Sequence, residues 1–600
     1  MMKKLPIFLG LILICSSFAF PNTGCSKSDS IVPQKVGVIV NSVDDFKQAI
    51  ASGAKSIIAD DLDFNHETIT INHDVSLDSL NSQSSIKNVY FNIVGPTVVG
   101  EKIDVSFSNI VFDDTFDTSA INFETEESFE DKFGSPRENN VCIQGNSGYF
   151  SLSLDNCVIR NYASEVAPAI QVLNVNYDDN KTVILNNCKF YNNYSMWDTI
   201  QLSHVKLHAT LTNCEFYSNY AYKAAGFSIT NGSATIDKVN VHDNYFVRYD
   251  VNTNNPQLCG GGVFLGGNDL KITNSYIVNN KTTYGGGLGL SSAYSGNKNI
   301  VLENLVIKDN EATYGGGTAV HSLSGQPVTF INCKILNNIA INGGPLYTEV
   351  YGRWVEENNG GLVQFFFSTF GLNKAEDNAS FKFYQKDQTK GQLGNIVLKG
   401  CFAIGSDTYD YSSNDYNYVA TKEQALLDGV IDEDSISDVS NGLYPIKGSK
   451  ADIKVSSDIY HSWSEALSSY SGDRYIGASN PNRNENKNLT TLIIVLSISG
   501  VVLIAILAAL VIVFVKKRKK RNAVQDNQVE EKDMRSEYIS GLSIREKQVV
   551  QLIIAGKKRK DIASELNFSE NTIKRDLTVI YSKLHVTDKF ELILKYKDLF

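Results

Sequence analysis

The stretch Leu185-Asn186-Asn187-Cys188-Lys189-Phe190-Tyr191-Asn192-Asn193 is a clear copy of a pattern that recurs along much of the chain. An apolar residue is followed by a variable position, Asn, a small residue, another variable position, an apolar residue, and Asn three positions later. The stretch Leu211-Thr212-Asn213-Cys214-Glu215-Phe216-Tyr217-Ser218-Asn219 repeats it closely. Most copies lie about 25–36 residues apart, which is typical of stacked supersecondary units. Further copies centre on Asn109, Asn156, Lys238, Asn274, Asn304, Asn332, Phe367 and Gly400.

Strand alternation explains this pattern. Leu211 points inward and Thr212 outward, and Asn213 then bends the chain because Asn tolerates left-handed backbone. Cys214 and Phe216 point inward again after the bend. Short strands joined by such bends at this period predict a right-handed parallel β-helix. Ten coils stacked at about 4.8 Å would form a rod of about 50 Å.

A second repeated element is a run of glycines after several copies. A run at a fixed coil position predicts tight corners with positive φ. Phosphate binding by these runs is not expected, because none leads into a helical pattern. The runs are residues 260–262, 285–287, 315–317 and 343–344.

The cysteines are predicted to be stacked small residues of the core, because five of them occupy the small position of the pattern. Disulfides remain an alternative in an oxidising compartment, also for Cys142 and Cys259. No C-x-x-C spacing occurs, and His204 and His208 are the one pair with an H-x-x-x-H spacing, so we predict no metal and no cofactor. The five are Cys157, Cys188, Cys214, Cys333 and Cys401.

The F-x-x-N element with Gly-Gly-apolar makes residues 85–410 resemble the repeats of polymorphic outer-membrane proteins and adhesin-like β-helices. The flanks agree with this resemblance. Residues 42–54 predict an amphipathic helix that caps the first coil, and residues 472–478 look like a closing segment. Those proteins end in a transmembrane β-barrel, whereas this chain continues into an apolar segment and a further domain. An autotransporter role is therefore not expected.

Two apolar segments predict the topology. Residues 1–19 have the basic start, apolar stretch and small residues of a secretory signal, with an uncleaved anchor or a lipid-modified Cys25 as alternatives. Residues 491–515 are 25 residues without a charge, and at 1.5 Å per residue they span about 37 Å. We therefore predict a transmembrane helix over 489–515. The basic run 516–521 places the following residues in the cytoplasm by the positive-inside rule, unless it binds nucleic acid instead.

The formal charge of −11 hides a split. Residues 516–600 hold 20 Lys and Arg against 13 Asp and Glu, net +7, and the preceding residues hold 35 against 53, net −18. Such asymmetry predicts different partners and compartments. We expect residues 20–488 to lie outside a bacterial inner membrane and residues 516–541 to form a basic juxtamembrane linker inside it.

The C-terminal residues predict a helix-turn-helix. Ser543 and Glu546 form a capping box that begins a helix, and Gly556 ends it. A short helix over 561–566 is followed by a third, which Ser569 caps and which reaches about Leu584. One face of this third helix is apolar and the opposite face is polar and basic. The apolar face is Ile573, Leu577, Ile580 and Leu584, and the polar face is Asn571, Lys574, Arg575 and Thr578.

Residues 542–600 resemble the LuxR-type (GerE-like) DNA-binding domain. The resemblance implies a four-helix domain that binds double-stranded DNA and whose last helix, about 588–597, often dimerises. We accordingly expect a homodimer. A polymerase-binding helical module is the alternative. The matching residues are Leu542-Ser543-x-Arg545-Glu546, Gly556, Ile562-Ala563, Leu566, Ser569-x-x-Thr572-Ile573-Lys574 and Lys583-Leu584-x-Val586.

The same resemblance implies roles for individual residues. One departure is Asp576, where the family usually has His; a carboxylate beside the reading face would repel phosphate. Major-groove contacts are expected from Lys574, Arg575 and Thr578, with Asn571 on the same face. Phosphate contacts and general attraction are expected from Ser569, Thr572, Lys558, Arg559, Lys560 and Lys583.

Together these features predict a multidomain, single-pass membrane transcriptional regulator whose β-helix senses an extracytoplasmic ligand, such as a glycan or a surface partner. One alternative is a surface adhesin or structural β-helix. Another is a membrane-anchored polysaccharide enzyme, for which the acidic pairs 60–61, 113–114 and 356–357 are available. Four tyrosines of the repeats have two interpretations, because such rings either stack on sugars or cover the corners of the coils. They are Tyr191, Tyr217, Tyr284 and Tyr314.

Overall fold

The computed structural model has a large parallel β body and a small C-terminal helical domain. The chain divides into two compact units, Met1–Asn480 and Pro481–Phe600. No helix among the described residues is both long and apolar enough to cross a membrane. The signal segment 1–19, the transmembrane segment 489–515 and the basic run 516–521 lie outside those residues. The structure describes residues 36–115, 140–164, 166–173, 180–195, 197–221, 223–246, 261–267, 269–291, 299–321, 328–349, 363–376, 383–385, 396–405, 416–437, 442–480 and 535–600.

The first unit is a parallel β-helix whose first sheet has thirteen strands among the described residues. Each strand pairs in parallel with the equivalent strand of the next coil; Leu207–Thr212, for example, pairs with Ser233–Asp237. The strands are Val38–Val40, Ser56–Ala59, Val75–Ser79, Ile103–Ser108, Phe150–Asp155, Lys181–Asn186, Leu207–Thr212, Ser233–Asp237, Asp269–Thr273, Asn299–Glu303, Val328–Ile331, Val363–Phe366 and Ile396–Lys399.

A second ladder of parallel strands follows the Asn bends. Its long strand Ser84–Val94 pairs with Ile110–Asp113 through its first half and with the third ladder through its second half. The other members are Leu62–Ile71, Val158–Arg160, Lys189–Tyr191, Glu215–Tyr217, Asn240–His242, Tyr276–Val278, Val306–Lys308, Lys334–Leu336, Thr369–Gly371, Phe402–Ile404 and Tyr418–Ala420.

The third ladder and a short fourth sheet complete each coil. The third ladder is Ile143–Ser147, Ile170–Leu173, Ile200–Ser203, Phe227–Thr230, Val263–Gly266, Leu288–Ser291, Thr318–His321, Leu346–Glu349 and Phe383–Gln385. The fourth sheet is Ala163–Ser164, Tyr194–Ser195, Tyr220–Ala221, Tyr245–Phe246, Lys281–Tyr284, Glu311–Tyr314, Ile339–Asn342 and Lys374–Ala375.

The predicted bends are confirmed. All ten positions on which the copies centre have positive φ, between 48° at Phe367 and 65° at Gly400. The expected ten coils are too few, because three strands of the first sheet precede the first copy of the pattern. These strands, at 38–40, 56–59 and 75–79, stack without the Asn bend on which the count relied.

Seven of the ten copies end in Asn, and these seven side chains form a ladder inside the β-helix. In each step the backbone N–H and Nδ2 of one Asn donate to Oδ1 of the next, and Nδ2 also donates to a backbone carbonyl. The same contacts recur from Asn219 to Asn338. The ladder therefore satisfies polar groups at a corner from which water is excluded. Its members are Asn193, Asn219, Asn244, Asn280, Asn310, Asn338 and Asn373, each at most 1% exposed.

The cysteines of the pattern are buried free thiols, as the core interpretation predicts. The thiol of Cys214, for example, donates to the carbonyl of Leu185 one coil away, at 3.4 Å. Burial raises the pKa of Cys333 and Cys401 to about 12, so both thiols stay neutral. Cys142 is also free and buried, whereas Cys259 lies outside the described residues.

Both ends of the β-helix are covered. Helix α1, Val43–Ala51, inserts Phe46 into the first coils, where its ring centroid lies 5.2 Å from that of Phe64. This confirms the predicted cap. At the other end α2 (Lys422–Leu427), α3 (Glu433–Ser437), α4 (Ser457–Tyr460) and the 3-10 turn Glu465–Leu467 share a core with the last coils. The strands Lys454–Val455 and Arg474–Tyr475 pair antiparallel, and Gly477 in the predicted closing segment donates to the carbonyl of Gly400 at 2.7 Å.

The glycine runs lie at corners with positive φ, as predicted: Gly285, Gly315 and Gly343 have φ of 62°, 66° and 69°. The runs also allow close packing. Gly286 is required because a Cβ there would lie 2.3 Å from the carbonyl oxygen of Gly316. The corners of successive coils therefore approach more closely than any side chain allows.

We predict that Gly286→Ala destabilises the β-helix by about 2–4 kcal/mol, because a methyl group must displace backbone of the next coil. The matched control is Gly266→Ala, whose Cβ would meet its nearest atom at an ordinary 3.4 Å. Urea unfolding followed by circular dichroism measures both. Equal midpoints for the two variants would contradict this account of the corners.

The described residues of the second unit include the four helices that the resemblance implies. They are α5 (Ile544–Ile554), α6 (Arg559–Glu565), α7 (Glu570–Lys583) and α8 (Lys589–Tyr596). A further helical segment occupies residues 535–540. Helix α6 begins two residues before the predicted 561–566. The buried apolar core is Leu542, Val549, Val550, Ile553, Ile562, Ala563, Ile573, Ile580, Leu584, Val586, Leu592 and Tyr596.

Candidate nucleic-acid interface

Helix α5 is fixed by its predicted capping box. The backbone N–H of Glu546 donates to Oγ of Ser543 at 3.3 Å, and that of Ser543 donates to Oε2 of Glu546 at 2.7 Å. Gly556, with φ of 84°, ends the helical stretch. Val549 and Val550 are fully buried, so α5 packs against the next helices in the core of the domain.

The turn between α6 and α7 is short. Asn567 has φ of 55°, and the N–H of Phe568 donates to the carbonyl of Ala563 at 2.8 Å. Ser569 then caps α7, because its Oγ accepts from the N–H of Thr572 at 3.2 Å. The hydroxyls of Ser569 and Thr572 also bond each other at 2.8 Å. Both predicted phosphate contacts therefore lie at the N-terminus of α7, where the helix dipole favours anions.

The predicted reading face of α7 points to solvent. Lys574 and Arg575 are exposed, and the side chain of neither has a hydrogen bond or ion pair to another described residue. Asn571 is exposed too, and Oγ1 of the exposed Thr578 donates to the carbonyl of Lys574 at 3.1 Å. On the opposite face Ile573, Ile580 and Leu584 are buried and Leu577 is half-buried.

The basic residues predicted to support binding fall into two groups. Lys558, Arg559 and Lys560 are exposed at the start of α6. Lys583 has a partner within the domain, because its Nζ lies 2.8 Å from both carboxylate oxygens of Glu546. Lys583 is also exposed but differs from the other cations in having this ion pair, and a DNA contact by Lys583 stays a prediction.

Asp576, the departure from the family pattern, also has a partner within the domain. Nε and Nη2 of Arg545 both donate to its Oδ2, the former at 3.0 Å. The guanidinium carbon of Arg545 lies 4.1 Å from the ring centroid of Phe568. The sequence matched Arg545 to the family but gave no signal for this pairing.

The Lys583–Glu546 pair predicts an acid-dependent stability. The hydrogen bond from Lys583 holds the pKa of Glu546 below its usual 4.5, so the pair contributes stability above that pH and loses it as the pH falls through the lowered value. We expect Lys583→Met to weaken α5 and α7 more at about pH 7 than at about pH 3.

Hydrogen-exchange mass spectrometry in graded urea, corrected for intrinsic exchange rates, measures this difference. Lys597→Met is the matched control, since exposed Lys597 has no ion pair to a described residue. A loss of protection equal at both pH values would contradict the pairing.

Acidic residues considered for catalysis on the β-helix have structural partners. Asp113 accepts from Arg160 at 2.8 Å and from Asn161 at 2.7 Å. Asp60 and Asp61 accept from Asn81 at 3.1 Å and from the N–H of Ser85 at 2.7 Å. Asp114 accepts from the hydroxyl of Tyr90 at 3.4 Å, and the pair 356–357 lies outside the described residues.

The tyrosines considered for sugar stacking lie on one another. The rings of Tyr191 and Tyr217 are stacked at 4.8 Å, and those of Tyr284 and Tyr314 at 4.6 Å. Each ring therefore has a face covered by its neighbour in the next coil. This arrangement favours the interpretation that the tyrosines stabilise coil stacking.

Comparison with known proteins agrees with both units. Residues 540–596 match the family described as bacterial regulatory proteins, luxR family, and residues 173–361 match the right handed beta helix region. The transcriptional regulatory protein DesR of Bacillus subtilis (strain 168) is 37% identical over 57 residues, which are 10% of this chain and 29% of that protein. The chain thus spans under a third of the length of this relative.

Several solved structures are similar to part of this chain at low sequence identity. The periplasmic alginate epimerase AlgG matches 60% of this chain and 82% of its own, with 10% identity and a TM-score of 0.35. Tailspike protein 3 of bacteriophage CBA120 matches 63% and 58%, with 13% identity and a TM-score of 0.28. The SRRP of L. reuteri 53608 matches 60% and 99%, with 13% identity and a TM-score of 0.22.

Proposed function

We propose, from the premise that residues 540–596 form a LuxR-type helix-turn-helix domain, that this chain is a membrane-anchored transcriptional regulator. The domain binds double-stranded DNA with α7 in the major groove. The β-helix binds an extracytoplasmic ligand, with a glycan or a surface partner as the class to test first. A LuxR-type domain is a regulatory module, so the proposal assigns no reaction to the chain.

The exposed face of α7 carries the proposal. Lys574 and Arg575 are side by side, exposed and without partners among the described residues. Their donors suit guanine O6 and N7 in the major groove, where each good base contact gives about 1–3 kcal/mol of discrimination. Ser569 and Thr572 at the N-terminus of the same helix supply phosphate contacts that fix its position.

Membrane anchoring rests on the sequence. Residues 491–515 carry no charge and are followed at once by the basic run 516–521, which is typical of a single span with a cytoplasmic C-terminus. The charge of the two sides fits this topology, since the cationic part of the chain is the part that meets DNA. We place the protein in the inner membrane of a bacterium, with the β-helix outside.

A homodimer completes the proposal, because a two-fold DNA site needs two reading helices at fixed spacing. Helix α8 exposes Phe590 and Leu594, which are 84% and 78% exposed and one helical turn apart. Two apolar side chains on one exposed face support pairing of α8 with its copy in a second chain.

Electrophoretic mobility shift with the purified full-length chain tests the proposal. Random genomic fragments compete for the protein, and the enriched fragment is compared with a shuffled sequence of the same composition. We expect saturable binding that prefers the enriched fragment by at least 10³-fold, as specific DNA-binding proteins do. Equal affinity for both fragments would refute a sequence-reading role.

A further inference from the structure

Asp576 and Glu570 are the two residues of α7 whose charge argues against DNA binding. Asp576 follows Arg575 directly, and a carboxylate that faced the duplex would repel phosphate. Glu570 in the first turn of the same helix offers a comparison, because its carboxylate is exposed and has no hydrogen bond or ion pair to another described residue. The two carboxylates therefore stand in different electrostatic environments on one helix.

The carboxylate of Asp576 is turned toward α5. Two nitrogens of Arg545 donate to one of its oxygens, so a full positive charge neutralises it within the domain. Its side chain is 21% exposed, and that of Arg545 is 40% exposed. An ion pair this accessible adds little to stability, because solvent screens it. The pair instead fixes the orientation of the Asp576 side chain relative to Arg545, since Nε and Nη2 of a guanidinium hold a fixed geometry.

Arg545 is itself fixed by the turn before α7. Its guanidinium carbon lies 4.1 Å from the ring centroid of Phe568, a residue that is 41% exposed. Arg545 therefore links three segments of the domain: it belongs to α5, stacks on the turn before α7 and binds α7. These contacts restrain both the rotation of α7 about its axis and the position of its N-terminus.

The rotation of α7 decides which side chains reach the bases. Residues are spaced by 100° around a helix, so Lys574, Arg575 and Thr578 present their groups to one groove only at one rotation. A displacement of about 1 Å would break a bidentate base contact while leaving general attraction to phosphate intact.

We propose that the Arg545–Asp576 ion pair, seated on Phe568, positions α7 for reading DNA sequence. Asp576 is a positioning residue that acts through the orientation of α7 and makes no contact with the duplex. This inference rests on the DNA-reading role proposed above. It replaces the expectation that the carboxylate of Asp576 repels phosphate.

The same chemical change at two sites tests it. Asp576→Asn and Glu570→Gln each convert a carboxylate of α7 to an amide. Fluorescence anisotropy measures the affinity of the full-length chain for the sequence that the wild type enriches from a random duplex pool, and for its shuffled counterpart. The ratio of the two affinities is the selectivity.

We expect Asp576→Asn to lower the selectivity about tenfold while the affinity for shuffled DNA changes less than twofold. Glu570→Gln should tighten binding to both duplexes alike and leave the selectivity unchanged, because it only removes repulsion. If Asp576→Asn also tightened binding to both duplexes, Asp576 would face phosphate and the inference would be wrong.

Charge exchange keeps the inference falsifiable if a single variant folds poorly. Arg545→Asp and Asp576→Arg should each lower selectivity, and the double variant should recover at least half of the loss on a logarithmic scale. Circular dichroism confirms folding of each protein. Absence of recovery in a folded double variant would overturn the positioning role.

The outcomes separate this inference from the proposed function. If the wild type has no selectivity, the DNA-reading role fails and the positioning role fails with it. If the wild type is selective and Asp576→Asn is equally selective, the positioning role alone fails.

Discussion

Asn280→Ala is expected to destabilise the β-helix by about 3–5 kcal/mol, because it leaves several buried polar groups without partners at once. Oδ1 of Asn280 accepts from N and Nδ2 of Asn244, at 3.2 and 2.9 Å. Its Nδ2 donates to the carbonyl of Val241 at 3.0 Å and to Oδ1 of Asn310 at 3.1 Å. Asn244 is fully buried, so water does not replace the missing partner.

Two further variants separate hydrogen bonding from packing. Asn280→Asp keeps the side-chain volume but places a carboxylate oxygen against Oδ1 of Asn310, so it should destabilise at least as much as Ala. Lys271→Ala removes an exposed side chain from a strand of the same coil and should change stability by less than about 0.5 kcal/mol. Tolerance of Asp but not of Ala would mean that the cavity, and not the ladder, sets the cost.

The measurement must allow for partial unfolding, because repeat arrays do not always unfold as one unit. Urea denaturation followed by circular dichroism gives the overall midpoint. Hydrogen exchange of strands Asn240–His242 and Val306–Lys308 shows whether the coils on both sides of Asn280 lose protection. The ladder predicts loss in both strands.

The ladder also shows what the sequence could and could not predict about the fold. The period, the inward positions and the bends follow from the pattern, since strand alternation and left-handed Asn are local properties. The sequence shows that seven copies end in Asn, but it does not show that these side chains form a buried ladder. Whether an Asn faces solvent or an occluded corner depends on the neighbouring coil, which a single repeat does not reveal.

The glycine runs also separate local properties, which the sequence predicts, from contacts between coils, which it does not. Positive φ is a local property, and the sequence correctly predicted it at the corners where Gly285, Gly315 and Gly343 begin their runs. The requirement at Gly286 comes from the carbonyl of Gly316, thirty residues later in the chain. The three early strands were missed for the converse reason: their pairing is regular, but their bends do not use the Asn pattern.

In the helical domain the sequence predicted which side chains of α7 are exposed better than it predicted which of them form ion pairs. The helical period correctly separated Ile573 and Ile580 from Lys574 and Arg575. It did not foresee that Lys583 and Asp576 each bind a residue of α5, because such pairs depend on how α7 crosses α5. Periodicity within one helix contains no information on that crossing.

The second large effect is expected from the reading face. Lys574→Ala combined with Arg575→Ala should weaken binding to the enriched DNA sequence by at least about 30-fold, since it removes two side chains whose interactions with bases are worth about 1–3 kcal/mol each. Binding to shuffled DNA should weaken far less. Both side chains are exposed and unpaired among the described residues, so we expect the fold to tolerate the change.

Lys558→Ala combined with Lys560→Ala is the matched control, because it removes the same charge from exposed positions outside α7. We expect this variant to bind enriched and shuffled DNA more weakly by the same factor. The slope of log affinity against log salt should become less steep by about 0.9 for each phosphate that the variant no longer neutralises. Anisotropy titrations at several salt concentrations give both quantities. If the two double variants had the same selectivity, Lys574 and Arg575 would contribute charge alone, and the bases would be read elsewhere.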